Sequence, residues 1–371
     1  MKQKTPLFIL FLHLGLGGVE RKIVDIANLL AESQPDLPIY ILLRKKTGFD
    51  STKKIKNKRV RIINYLDWTK IRKPYFFPLF VFYHVWKLKP QAILAFLDFC
   101  SITAVWAKLF FFWRRIKVVL SEDHYASQII ALQRFAWLRH LSVRIFYPFA
   151  DKIFSCTQAT KKDLMVSYKI PEEKIRIIRN WTSFIGKKII KTPKKYDLIY
   201  VGRLDRTKNV IFLLRGIQKL RENKANIRLC IVGEGEEAKY LKKFARDNQL
   251  EKNIDFVGAC YQVEKLLNQS KIFVFSPKRK VEGFPLTILE AMAFGLVVLT
   301  SKFDGVKEVI ESGVNGFIFD SMSDFMKKIL WLLGNPSKRL AVGLKAREYV
   351  KQRHAPENIK DYLKELGLLK E

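Results

Sequence analysis

The strongest constraint on the fold is an alternation along most of the chain. Short apolar or β-branched segments, typical of buried strands, are followed by segments whose apolar residues recur every 3.6 positions, typical of amphipathic helices. Strands joined through helices pair in parallel by right-handed crossovers, so this order predicts an α/β protein. The predicted strands are 7–13, 39–43, 60–63, 92–96, 117–121 and 152–156 in the first half, and 197–201, 227–232, 254–257, 272–276 and 297–301 in the second.

The number of strands indicates two domains, because a single doubly wound sheet does not comfortably hold so many. A basic segment, Ser183 to Lys195, contains Pro193 and separates the two groups of strands. We therefore predict two Rossmann-like domains, residues 1–190 and 191–352. The remaining segment, 353–371, has the pattern of an amphipathic helix that could pack on either half.

The net charge narrows the choice of partners. Lys and Arg total 68 against 35 Asp and Glu, a formal net charge of +33, and 49% of the residues are hydrophobic. Disordered and disulfide-scaffold proteins are excluded by this composition. A basic excess of this size favours an anionic partner, which could be nucleic acid, an anionic membrane surface or a phosphorylated substrate.

The N-terminal segment has a basic start at Lys2 and Lys4 and an apolar run, Pro6 to Leu16, as a signal peptide would. No small-residue cleavage site follows, and the run leads directly into Gly17 and Gly18, so a buried first strand is the better prediction. The longest charge-free apolar run, Pro74 to Trp86, is shorter than the roughly 20 residues that cross a bilayer. We therefore do not expect a transmembrane protein, and we place the chain in the cytoplasm, peripheral on the inner membrane face.

Basic and aromatic residues alternate in the first half. Residues 51–120 contain fifteen Lys or Arg and two acids, Asp67 and Asp98, with clusters at 71–77, 86–89 and 110–115. Such a pattern is typical of a surface that lies on an anionic membrane. The alternative is that the aromatic residues form core. Nucleic acid is not expected as a partner, because no nucleic-acid-binding motif accompanies the charge.

The densest candidate site is the segment from Val281 to Gly295, which follows a predicted strand and opens a helix. A glycine before a helix N-terminus exposes backbone N–H groups that suit a phosphate. The carboxylates of Glu282 and Glu290 are better suited to accept hydrogen bonds from hydroxyl groups beside that phosphate, such as those of a sugar and a ribose. The alternative is that Glu282 is a favourable first-turn charge and Glu290 a solvated residue.

A second candidate site follows the strand that ends at Val201. The carboxyl ends of parallel strands are where open α/β sheets bind ligands, so Arg203 and Lys208 could hold a diphosphate there. Two glycine turns, 15–18 and 233–235, indicate close approach of the backbone to a ligand, although neither has the spacing of a nicotinamide or flavin site.

Cysteines and histidines suggest little metal chemistry. The four cysteines, Cys100, Cys156, Cys230 and Cys260, lack metal-ligand spacing and are expected to be reduced. His124 follows a buried strand and faces the predicted ligand rim. No motif of a metallohydrolase, serine hydrolase or P-loop protein is present.

In combination, these segments resemble the retaining nucleotide-sugar glycosyltransferases of family 4, which have the GT-B fold of two Rossmann-like domains facing each other across a cleft. The resemblance rests on EGFPLTILEAMAFG at 282–295, GRLDRTKN at 202–209, VGEGEE at 232–237 and GVKEVIESGVNGFIFD at 305–320, with GLGGVER and SEDH in the first half. One departure is that the family often has an Asn-Gly pair where this chain has Asn180-Trp181.

The resemblance implies a role for each candidate residue. The second domain would hold the donor, and the C-terminal helix 353–371 would cross back to the first. The implied catalytic residues are His124 beside the transferring sugar, Arg203 and Lys208 at the leaving diphosphate, and Glu282 at the sugar hydroxyls. The implied donor-binding residues are Gly17, Gly18, Gly202, Arg203, Lys208, Gly233, Gly235, Glu282, Gly283, Phe284, Pro285, Leu286 and, at the ribose, Glu290.

The sequence therefore predicts a glycosyltransferase that moves a sugar, with retention, from a nucleotide-diphosphate donor to a glycan or lipid-linked acceptor in cell-surface polysaccharide or glycolipid synthesis. The nucleotide-sugar is a co-substrate, and no metal or other cofactor is expected. Two alternatives remain at this point: a non-catalytic GT-B-like protein that binds anionic lipid or nucleic acid, and another GT-B enzyme such as a sugar-nucleotide epimerase.

Overall fold

The computed structural model describes residues 5–15, 17–45, 51–68, 76–190, 192–260, 262–278 and 282–368. The chain divides into two compact units, 1–179 with 357–371, and 180–356. Residues 180–190, assigned to the first domain from the sequence, thus belong to the second unit.

The first unit is built on a seven-stranded sheet in the order β3-β2-β1-β4-β5-β6-β7, and every pair of neighbouring strands is parallel. The strands are β1 (Leu7–Phe11), β2 (Ile39–Leu43), β3 (Val60–Asn64), β4 (Ala92–Phe96), β5 (Lys117–Glu122), β6 (Lys152–Ser155) and β7 (Ile175–Ile177). The helices are α1 (Gly18–Ser33), α2 (Tyr65–Trp68), α3 (Phe77–Leu88), α4 (Asp98–Phe110), α5 (Ala126–Ala131), α6 (Ala136–Phe146), α7 (Gln158–Tyr168) and, from the C-terminus, α14 (Ile359–Glu365).

The second unit is built on a six-stranded parallel sheet in the order β10-β9-β8-β11-β12-β13. The strands are β8 (Tyr196–Val201), β9 (Leu229–Val232), β10 (Ile254–Gly258), β11 (Ser270–Phe275), β12 (Val297–Ser301) and β13 (Phe317–Phe319). The helices are α8 (Val210–Glu222), α9 (Ala238–Asp247), α10 (Val263–Asn268), α11 (Leu286–Ala293), α12 (Met322–Gly334) and α13 (Pro336–Arg353).

The central strands are buried on both faces, as a parallel sheet covered by helices requires. All five residues of β1 are buried, so the apolar N-terminal run is core. Within the described ranges, no helix combines the length and the apolar character needed to cross a membrane. Three cysteines are buried as free thiols, and Cys260 is partly exposed.

The C-terminal segment differs from its prediction. A single helix over 353–371 was expected, but α13 ends at Arg353, a short 3-10 turn begins at Pro356, and α14 covers only Ile359–Glu365. Proline disfavours helical backbone in the residue before it, which explains the interruption. α14 packs against α1 of the first unit.

Candidate functional site

The candidate donor site of the second unit lies where the strand order reverses. β8 is flanked by β9 on one side and β11 on the other, so the loops that follow β8 and β11 diverge at this point of the sheet. A crevice at the carboxyl ends of such strands is the usual ligand site of an open parallel sheet. The two segments singled out in the sequence, 202–209 and 282–290, follow these two strands.

The loop after β8 is shaped by Asp205. Its Oδ1 accepts hydrogen bonds from the backbone N–H of Thr207 at 2.9 Å, from the Thr207 hydroxyl, and from the backbone N–H of Lys208 at 3.3 Å. Burial alone would raise the pKa of Asp205, but the bonds from Thr207 and the charges of Arg203 and Lys208 outweigh burial and lower it. The hydroxyl of Tyr200 donates to the carbonyl of Arg203 at 2.8 Å. These bonds hold both basic residues in place.

Arg203 and Lys208 occupy different environments. The Arg203 side chain is 67% exposed and lies 3.2 Å from Oδ2 of Asp205, whereas the Lys208 side chain is 11% exposed and its Nζ contacts Oε1 of Glu282. Burial and the nearby charge of Arg203 lower the pKa of Lys208 to about 7, while Asp205 favours its charged form. The Glu282 carboxylate acts in the same sense as Asp205, because an opposite charge in contact stabilises the ammonium.

The segment 282–286 turns from the end of β11 into α11. Glu282 is buried, Pro285 takes the extended N-cap conformation, and α11 begins at Leu286. The first N–H groups of a helix have no partner within the helix, so this end offers donors and the positive end of a dipole. Glu290 lies buried on the same helix, so the alternative of a solvated Glu290 is wrong.

Two residues that the sequence analysis did not place in the site support this turn. Nδ2 of Asn180 donates to the carbonyl of Phe284 at 3.2 Å, and Nδ1 of His354 lies 2.6 Å from the carbonyl of Asn180. The Phe284 and His354 rings are stacked, with centroids 5.9 Å apart. Because these partners lie far from the turn in sequence, no local motif could have identified them.

The glycines after β8 and β9 allow the two loops to touch. A Cβ on Gly233, whose φ is +145°, would lie 1.9 Å from the carbonyl oxygen of Gly202, and one on Gly235 would lie 2.3 Å from that of Leu204. These glycines thus bring the backbones of two loops of the protein together, whereas the sequence predicted close approach to a ligand. A contact of Gly202, Gly233 or Gly235 with the donor stays a prediction.

The candidate residues of the first unit lie at the carboxyl ends of β1 and β5. Gly17 is the N-cap of α1 and Gly18 its first residue, while His124 follows β5 and is partly exposed. β4 lies between these two strands. Both loops are therefore at the same edge of the sheet, as the sequence predicted.

A buried ion pair links these two loops. Nζ of Lys22 on α1 lies 2.6 Å from Oδ1 of Asp123, the residue before His124. The same Nζ lies 5.3 Å from the centre of the Tyr362 ring on α14, and the Tyr362 hydroxyl is 3.2 Å from that of Ser121. Burial disfavours the Lys22 ammonium, but Asp123 and Tyr362 together raise its pKa. The pair thus joins α1, the His124 loop and the C-terminal helix.

Glu122, by contrast, points into the core of the first unit. Its Oε1 accepts a hydrogen bond from the Tyr147 hydroxyl and lies 3.5 Å from that of Ser101. Burial raises its pKa to about 8. This carboxyl group therefore belongs to the interior, although it is two residues from His124.

Chemically, the arrangement in the second unit suits an anion with hydroxyl groups beside it. Arg203, Lys208 and the N-terminus of α11 supply positive charge and N–H donors. Glu282, in contact with Lys208, and Glu290, on α11, supply buried acceptors. A sugar ester of a diphosphate combines both features.

Comparison with known proteins agrees with this geometry. The family model of glycosyltransferase family 4 matches residues 16–183, and that of glycosyl transferases group 1 matches residues 183–349. An uncharacterized glycosyltransferase of Haemophilus influenzae is 27% identical over 334 residues, 89% of this chain and 91% of that protein. A relative from Campylobacter jejuni is 23% identical over 76% of each chain; its name describes an α-1,4-N-acetyl-D-galactosaminyltransferase acting on a diphospho-undecaprenol-linked glycan.

Solved structures show the same fold. Anabaena HepE in complex with UDP and glucose superimposes with a TM-score of 0.80 at 16% identity, covering 99% of this chain and all of that one. Sucrose-phosphate synthase from Thermosynechococcus elongatus gives 0.78 at 17% identity, covering 98% of each. The predicted fold class, two Rossmann-like domains of the GT-B type, is confirmed.

Proposed function

We propose that this chain, which belongs to the glycosyltransferases of family 4 and group 1, transfers a sugar from a nucleotide-diphosphate sugar to a glycan or lipid-linked acceptor with retention of configuration. The observation that carries the proposal is the buried contact between Lys208 and Glu282, made beside the N-terminus of α11. It brings a cation for the diphosphate and an acceptor for sugar hydroxyls together at the point where the strand order reverses.

The leaving group sets the main chemical requirement. A departing nucleoside diphosphate develops negative charge, and donors already aimed at that charge lower the barrier. Lys208, Arg203 and the backbone N–H groups of Gly283, Phe284 and Leu286 would meet this need without a metal. The contact with Glu282 holds the Lys208 ammonium at this site before the donor binds.

Glu282 and Lys208 would exchange partners when the donor binds. In the structure both side chains are nearly buried, and each is the oppositely charged partner of the other. A phosphate oxygen at Nζ would replace the carboxylate, which would then be free to accept hydrogen bonds from sugar hydroxyls. Retention and metal independence come from the family resemblance and are part of the proposal.

The name of one relative supports the proposed acceptor. The Campylobacter jejuni relative is named for a diphospho-undecaprenol-linked acceptor, and Anabaena HepE was solved with UDP and glucose. By analogy we propose a lipid-linked or glycan acceptor in polysaccharide or glycolipid synthesis, with the enzyme peripheral on the inner face of the membrane.

The test is release of nucleoside diphosphate from UDP-, GDP- and ADP-sugars by the purified chain, measured with and without chelator, and with membrane extract as the acceptor source. We expect release from one donor, and loss of that release in Glu282→Ala. Absence of release from every donor, with and without extract, would contradict the proposal and favour a non-catalytic binder. Release that chelator abolishes would contradict metal independence alone.

Replacing Glu290 by Ala should weaken donor binding. A hydrogen bond from a ribose hydroxyl to a buried carboxylate is worth about 1.5–3 kcal/mol, so we expect the Kd for the nucleoside diphosphate to rise about tenfold to a hundredfold. Titration calorimetry measures this, with Glu311→Ala, an exposed glutamate of the same unit, as the control. An unchanged Kd would remove Glu290 from the ribose site.

A further inference from the structure

The helical layer formed by α3, α4 and α6 exposes an unusual amount of apolar surface. These helices pack side by side, α3 on α4 and α4 on α6. Most of the exposed large apolar side chains of the described residues belong to this layer and its connecting turns. They are Leu79, Tyr83, Trp86, Trp106, Leu109, Phe110, Phe112, Trp113, Leu132, Phe135, Trp137, Leu138, Leu141 and Ile145, and we call them the aromatic face.

α6 exposes several large apolar residues that an ordinary surface helix would bury. Two of its polar residues face the protein: Arg139 pairs with Asp98 at 3.0 Å, and Nδ1 of His140 lies 2.9 Å from the Tyr168 hydroxyl. Although Val143 is buried, Trp137 is 67% exposed and Leu141 is 47% exposed. A soluble helix normally buries its apolar side, so this orientation indicates an apolar environment outside the protein.

The patches on the three helices are continuous. Trp106 on α4 contacts Phe146 on α6, with ring centroids 5.6 Å apart, and Phe82 on α3 contacts Phe110 on α4 at 5.2 Å. The Arg114 guanidinium donates hydrogen bonds to the backbone carbonyls of Val85 and Trp86 on α3, each at 3.2 Å. These bonds fix the turn that carries Phe112 and Trp113. Contiguous apolar surface of this kind is typical of an interaction site.

The charge around the aromatic face is mainly positive. Residues 76–149 contain nine Lys or Arg and three acids. Asp98 is paired with Arg139, Asp123 is paired with Lys22, and Glu122 is buried. The layer therefore presents basic groups such as Arg115, Arg134 and Arg144 between its aromatic side chains, with no acid left exposed among these residues.

We propose that the aromatic face docks on an anionic lipid bilayer, with the outer side of α6 inserted at the headgroup level. Trp side chains suit that depth, and Lys and Arg neutralise anionic headgroups. A second copy would bring the same positive charge onto the face and be repelled. Nucleic acid would gain little from aliphatic side chains such as Leu138 and Ile145, because bases stack on aromatic rings.

This inference rests on the proposed function and deepens it, since a lipid-linked acceptor would lie in that bilayer. It also changes which residues form the membrane surface that the sequence predicted. The surface predicted from the sequence covered only residues 51–120. Residues 71–75, which belong to its first cluster, lie outside the described residues. Phe77, Phe80 and Phe111 are core, whereas α6, which the sequence analysis did not include, carries the outward apolar side chains. The aromatic residues thus divide between core and surface.

The test is flotation of the full chain with vesicles of phosphatidylcholine, with and without phosphatidylglycerol. We expect the variant Trp137→Gln, Leu141→Gln, Ile145→Gln to bind anionic vesicles about tenfold or more weakly. The matched control, Leu330→Gln, Leu340→Gln, Leu344→Gln, replaces three exposed leucines of α12 and α13 and should bind as the unaltered chain does. Arg115→Gln, Arg134→Gln, Arg144→Gln should lose the preference for anionic over neutral vesicles.

Equal flotation of the α6 variant and the unaltered chain would overturn the proposal. So would a dimer in analytical ultracentrifugation that only the α6 variant converts to monomer, or vesicle binding that nuclease treatment abolishes. Circular dichroism and thermal unfolding report that each variant is folded. Flotation requires no turnover, so failure of the docking surface and failure of the proposed enzyme activity are distinguishable.

Discussion

Lys208→Ala should lower kcat by about a hundredfold to a thousandfold, the range seen when one preorganised donor to a developing charge is removed. Lys208 is the buried cation of the candidate donor site, and its Nζ contacts Glu282. The charge on a leaving diphosphate would then be met only by Arg203 and backbone N–H groups. Initial rates of nucleoside diphosphate release at saturating donor measure the effect.

The control for Lys208 is Arg206→Ala on the same loop. The Arg206 side chain is 79% exposed, and its Nε lies 3.3 Å from Oε1 of Glu237. Because an exposed ion pair has only a small effect, Arg206→Ala should change kcat by less than twofold.

Lys208→Ala also leaves Glu282 buried without its cation, which costs stability. The double variant Lys208→Met, Glu282→Gln removes both charges and should regain stability while remaining inactive. If Lys208→Ala or the double variant were as active as the unaltered chain, the assignment of Lys208 to the leaving diphosphate would be contradicted.

Asp123→Ala should lower the free energy of unfolding of the first unit by about 3–5 kcal/mol, because it leaves the Lys22 ammonium buried without its partner. Both side chains are less than a tenth exposed, so water cannot replace the lost interaction. Denaturant unfolding followed by tryptophan fluorescence measures the loss.

The matched control is the exposed pair of Lys161 and Glu172, whose Nζ and Oε1 lie 2.7 Å apart. Glu172→Ala should cost far less than Asp123→Ala, since a surface ion pair is screened by solvent. A small loss in Asp123→Ala, comparable to that of Glu172→Ala, would show that the buried pair does not stabilise the unit. Tyr362→Phe keeps the ring above Lys22 and should be milder than Asp123→Ala.

The sequence predicted most of the fold because its signals are local. Strands 39–43, 92–96 and 297–301 have the predicted bounds, and the other predicted strands differ by a few residues at their ends. β7 and β13 were not predicted. Each has only three residues, too few for an apolar run to stand out from a loop.

The candidate site was predicted where it depends on a single loop and not where it depends on contact between loops. The positions of Lys208 and Glu282 after β8 and β11 follow from strand order, since both loops emerge at one edge of a parallel sheet. The support of Phe284 by Asn180, and the pair of Lys22 with Asp123, join residues about a hundred positions apart. No periodicity encodes such pairs.

The sequence alone therefore determined the α/β class, the two Rossmann-like domains and the loops that carry the candidate residues, because strand and helix periods and turn residues are properties of neighbouring positions. Only the tertiary structure decided which charged groups are buried together and which apolar residues face outward. α6 shows the reason: its residues alternate between apolar and polar as in many helices, and only packing against α4 and α7 determines that Arg139 and His140 face inward while Trp137 and Leu141 face solvent.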